Sequence, residues 1–105
     1  MGSALAVALA GGVASPASAG TSVIKGAYGY FDPNKDMFGL GDTERDGHGV
    51  FLEWHIGSYW DSFKNEKGNG TWVDEYIPNS FQDGYIEWRV CVISVRCSGW
   101  TKERI

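Results

Sequence analysis

The stretch DTERDGHGVFLE, Asp42 to Glu53, places its carboxylates where a calcium-binding helix–loop–helix places its ligands. Asp42, Glu44 and Asp46 stand at loop positions 1, 3 and 5, Gly47 takes the sharp turn, and Glu53 falls at position 12. That chemistry needs a helix on each side, so that Glu53 turns back towards Asp42. Upstream, YFDPNKDMFGLG carries a Pro and two Gly. Downstream, Val50 to Ile56 alternates with the period of a strand. A strand carries Glu53 about 20 Å beyond the Asp46–Gly47 turn. Asp-Gly is itself a hairpin signal. The segment therefore reads as an acidic turn entering a strand, and no metal or cofactor is expected.

Other catalytic arrangements are weaker. There is no G-x-S-x-G elbow, and both cysteines are expected to be paired. His48 and His55 lie seven residues apart on opposite sides of the alternation, which argues against a shared zinc. His55 shares a face with Glu53, but a surface ion pair explains that placement without catalysis. Glu53 and Glu87 are two carboxylates on separate strands, and so short a chain offers them little cleft. No catalytic residue is assigned, and the chain reads as a non-enzyme.

Aromatic residues are the better lead. In GTWVDEYI the alternation that buries Val73 turns Trp72, Asp74 and Tyr76 outward. In SYWDSFK, Trp60 and Ser62 alternate with Tyr59, Asp61 and Phe63. Rings beside carboxylates form platforms for sugars or for protein side chains. The second lead is GTSVIKGAYGYF, Gly20 to Phe31, whose Ile24, Tyr28, Tyr30 and Phe31 would serve either an edge strand or an arm inserted into a partner. The candidate partner-binding residues are thus Ile24, Tyr28, Tyr30, Phe31, Trp60, Trp72 and Tyr76.

These residues must be carried by a small fold. Of the 105 residues, 1–19 read as a signal peptide: an uncharged Ala4–Val13 run is followed by ASPASAG, with cleavage expected after Ala19. The run is shorter than the ~20 residues a membrane span needs. A basic start is missing, which a start codon further upstream would explain. The remaining chain divides into an arm or edge strand, 20–31, and a domain, 32–105. It holds all 13 acidic and 9 basic residues and every Trp, Tyr and Phe. A net charge of −4 without a basic stripe argues against nucleic acid, and the absence of a basic amphipathic stretch argues against membranes.

No segment carries a helical stripe, and strand alternation recurs. In HGVFLEWHIG, Val50, Leu52, Trp54 and Ile56 face one way and Phe51, Glu53 and His55 the other. In YIEWRVCVIS, Ile86, Trp88, Val90 and Val92 oppose Tyr85, Glu87, Arg89 and Cys91. NEKGNG reads as a hairpin loop joining two neighbouring strands, and DPNKD and IPNSFQDG as further turns. The expectation is an all-β fold, a small antiparallel sandwich or barrel of about seven strands. Export makes a Cys91–Cys97 disulfide the default. If the pair closes a tight hairpin at Ile93–Val95, Val90 faces Ser98, and Trp88 faces Trp100 on the inner side.

GDTERDGHGVFLEW resembles a segment of small secreted proteins of Streptomyces and related actinobacteria. The matching positions are Asp42, Thr43, Asp46, Gly47, Gly49 and Val50, then Gly70 and Trp72, then Val90, Cys91 and Cys97. Gly41 stands where many members carry a further Cys, so any second disulfide of that family is absent. The resemblance implies export and a β-sandwich. In size, export and an extended N-terminal stretch the chain is also similar to the small adaptor subunit of Streptomyces umbrella toxin particles. That implies a secreted adaptor binding another extracellular protein; a carbohydrate-binding module and a small antibacterial toxin are the alternatives.

Overall fold

The computed structural model describes residues 20–78, 81 and 84–105. The signal-peptide reading of 1–19 and part of the IPNSFQDG turn lie outside the described residues. Among the described residues nine strands form, against the about seven expected: β1 (Gly20–Ile24), β2 (Ala27–Asp32), β3 (Met37–Asp42), β4 (Val50–Ile56), β5 (Tyr59–Asn65), β6 (Trp72–Tyr76), β7 (Tyr85–Val92), β8 (Arg96–Cys97) and β9 (Thr101–Arg104). They form two antiparallel sheets. Sheet A has the order β1-β2-β3-β6; sheet B has the order β5-β4-β7-β8, with β9 also pairing β7. Short hairpins join β1 to β2 and β4 to β5. The second turns at Gly57, whose φ of 59° favours a residue without Cβ.

One face of each sheet is apolar, and the two faces bury each other. Sheet A contributes Ala27, Phe31, Phe38 and Leu40; sheet B contributes Val50, Leu52, Trp54, Ile86, Trp88, Val90 and Val92. Phe38 is the bridge, with its ring 5.5 Å from Trp88 and 6.1 Å from Trp54. Gly29 lets the layers close, since a Cβ there would meet Val90, Trp88 and Leu52. Each fully buried large side chain contributes about 1.5–3 kcal/mol. The Cys91–Cys97 disulfide forms at directly paired positions of β7 and β8, closing a short loop worth about 2 kcal/mol in the chain-entropy model.

Three sequence expectations are corrected. NEKGNG is not a hairpin loop: β5 pairs β4 and β6 pairs β3, so the loop carries the chain from one sheet to the other. Buried Asn65 anchors this crossing. Its Nδ2 donates to Leu40 O at 3.3 Å and Thr71 O at 3.1 Å, while its Oδ1 accepts from Lys67 N and Thr71 Oγ1. The Asp46-Gly47 turn likewise links β3 of sheet A to β4 of sheet B instead of closing a hairpin.

The third correction concerns β9. Ser98 faces Val90 as expected, but Trp88 pairs with Thr101, so Gly99 and Trp100 together oppose Arg89. This is a one-residue bulge. A continuous register would turn Lys102 inward opposite Ile86; the bulge keeps Lys102 and Arg104 outside and puts Trp100 on the outer face. The arm 20–31 also takes a definite form. Gly20–Ile24 is the edge strand of sheet A, and Ala27–Asp32 is one of its interior strands.

Candidate functional site

The outer face of sheet A is an aromatic grid built by register. One row runs Val23, Tyr28, Gly41, Trp72; the next runs Thr21, Tyr30, Gly39, Asp74; the third runs Asp32, Met37, Tyr76. Glycine occupies two positions of the central strand β3, and the Trp72 indole lies across both. A Cβ on Gly41 would come within 2.6 Å of the indole, and one on Gly39 would collide with both the indole and the Tyr30 ring. Tyr30 stacks beside Trp72 at 5.6 Å and 21°, and Tyr28 tilts against it at 5.9 Å. Trp72 Nε1–H donates to Asp74 Oδ1 at 2.6 Å, which fixes the ring about its long axis. The result is a preorganised ring with one side on backbone and the other facing water.

This face is both exposed and acidic. Val23 is 64 % exposed, Tyr76 65 % and Trp72 41 %. The strands of sheet A carry no Lys or Arg, whereas those of sheet B carry Lys64, Arg89, Arg96, Lys102 and Arg104. Burial raises the pKa of the Tyr30 phenol, and the negative charges of Asp74 and then Asp32 raise it further. Asp32 commits Oδ1 to the Asn34 N–H, and Asp74 commits Oδ1 to Trp72.

The outer face of sheet B is differently made. Glu53 accepts from Arg89 Nε at 3.0 Å, and His55 Nε2 lies 3.1 Å from Glu87. His55 stacks on Trp60 at 4.1 Å, Trp100 stands edge-on to both, and the Arg89 guanidinium covers Trp100 at 4.7 Å. The charged groups here answer one another, and the rings are shared with them. The expected pairing of His55 with Glu53 is therefore not formed: Glu53 is held by Arg89, and His55 lies against Glu87.

The predicted residues therefore divide. Tyr28, Tyr30, Trp72 and Tyr76 come together on sheet A. Trp60 does not join them, because β5 belongs to the opposite sheet, and a single platform of Trp60, Trp72 and Tyr76 is corrected. Phe31 is fully buried and belongs to the core; Ile24 is half-buried against it. Phe31 has no exposed surface to present to a partner. Sequence reading missed Gly39 and Gly41 as the cradle, although a G-x-G alternation inside a strand signals a close approach. It also missed Asp32 and Val23 as members of the same face.

The acidic turn folds as local capping. Asp42 is buried and accepts from Glu44 N–H, and Asp46 accepts from His48 N–H. Glu53 sits on β4, engaged by Arg89. An open depression of about 300 Å³ lies beside the turn. Among the described residues no group of three or more His, Cys, Asp or Glu is arranged to hold a metal ion. Comparison of the chain with protein-family models, with curated proteins and with solved structures finds no match.

Proposed function

We propose that this chain is a secreted binding protein, acting without catalysis, that holds another extracellular protein on the outer face of sheet A. The observation that carries the reading is the Trp72 indole laid over Gly39 and Gly41, flanked by Tyr28 and Tyr30, with Tyr76 beyond. Rigid aromatic residues on a preformed face concentrate binding energy at low entropic cost. The Ala/Gly-rich leader and the disulfide support export. The narrower role of an adaptor within a toxin complex rests on the likeness in size, export and extended N-terminal stretch.

Capture tests this reading. Immobilised protein is exposed to the medium of the cells that secrete it, and to chitin, cellulose and peptidoglycan. Wild type and Trp60→Ala should retain the same protein, and Trp72→Ala should lose it while remaining folded at the temperature of the assay. Loss with Trp60→Ala alone would move the interface to sheet B. Retention on a polysaccharide that depends on Trp72, with no protein captured, would replace the protein partner with a sugar.

A further inference from the structure

We infer that the sheet A face takes a basic side chain, arginine above lysine, from a segment of its protein partner. The inference rests on the platform reading and names what that platform recognises. Three observations converge. The aromatic faces are electron-rich, and a cation over Trp or Tyr is attracted by the ring quadrupole. Asp32 and Asp74 stand at opposite sides of the grid, about 12 Å apart by strand and row spacing, with Tyr30 between them. No Lys or Arg lies on any strand of the sheet to answer those carboxylates, in contrast to sheet B, where Glu53 and Glu87 are already paired.

The geometry favours a planar cation. Trp72 is held flat, so a guanidinium can lie parallel to it and still reach a carboxylate at the rim, which a point-like ammonium does less well. A second copy of this chain is a poor occupant through the same face, because it would set Asp32 and Asp74 against their own copies. An acidic or purely aliphatic partner would leave both carboxylates desolvated and unpaired.

The test uses tetra-arginine, tetra-lysine and tetra-glutamate peptides titrated into the whole protein, followed by the indole N–H signals of the Trp residues. Tetra-arginine should shift the Trp72 indole first, bind more tightly than tetra-lysine, and weaken steeply as salt rises. Asp32→Asn with Asp74→Asn should weaken it about tenfold, the scale of removing one charge-assisted hydrogen bond. Asparagine at 74 can still accept from Trp72 Nε1–H, so the ring stays in place. Trp72→Ala should abolish the localised shift. Shifts confined to the acidic turn at Glu44, Asp46 and Glu66, or unchanged by the Asn pair, would overturn the inference. The two readings also fail separately. If capture of the natural partner is lost with Trp72→Ala but indifferent to salt and to the Asn pair, the platform stands and its basic occupant does not. If Trp72→Ala leaves capture intact, the platform itself is wrong.

Discussion

Gly39 decides how Trp72 is presented. It has no positive φ, so alanine fits the backbone; what it cannot fit is the indole and the Tyr30 ring above it. Gly39→Ala should lift the ring, cost about 1–2 kcal/mol through overpacking, and weaken partner binding although every aromatic residue is still present. Near-ultraviolet circular dichroism and a melt on the same sample check both halves of that expectation. Glu103 offers a second test at this scale. Its carboxyl is half-buried beside Trp88, whose buried Nε1 lacks an aligned acceptor. Burial raises the Glu103 pKa, against a smaller lowering by the Trp88 N–H. A raised carboxyl pKa means the folded state binds the proton more tightly, so stability falls as pH rises from the ordinary carboxyl range through the raised value. Glu103→Gln should remove that slope: compared by melting between pH 4 and pH 7, the variant should gain on wild type as pH rises. The sequence showed which residues alternate outward here, but not that Phe31 is core, since a ring near the end of an arm and a ring inside a strand look alike until the neighbouring strand is known.

Strands that alternate were legible, because alternation is a local property; β3, buried along its whole length, and the pairing of the strands were not. Val50–Ile56 and Tyr85–Val92 keep the faces that their period gave them. NEKGNG and the Asp46-Gly47 turn carry hairpin chemistry, yet each spans the sandwich, because a Gly-rich loop sets how the chain bends and not which sheet receives it. The bulge before β9 is a similar case. Ser98 bonds Val90 in either register; the bulge keeps Lys102 and Arg104 outside and turns Glu103 inward opposite Ile86 instead. It follows that deleting Gly99 should be tolerated. The deletion removes the extra residue, keeps Thr101 opposite Trp88 and leaves Trp100 over Arg89, so the change in stability should stay within about 1 kcal/mol. A loss of several kcal/mol on melting would mean that β9 is held by something other than the outward placement of its charges.

At the scale of the molecule, the two sheets divide the surface by charge. On sheet B, Glu53 and Glu87 are met by Arg89 and His55, and Trp60 and Trp100 pack within that network. Sheet A leaves aromatic rings and carboxylates facing outward together, on strands without a basic residue. Net charge alone, −4, conceals this division, because it appears only once the strands are sorted into sheets. The central claim, that the partner lies on sheet A, is tested most directly by hydroxyl-radical footprinting of the captured complex against the free protein. Trp72 and Tyr76 should become protected while Trp60 and Trp100 react as before. Protection of Trp60 and Trp100, with Trp72 still reactive, would contradict the account.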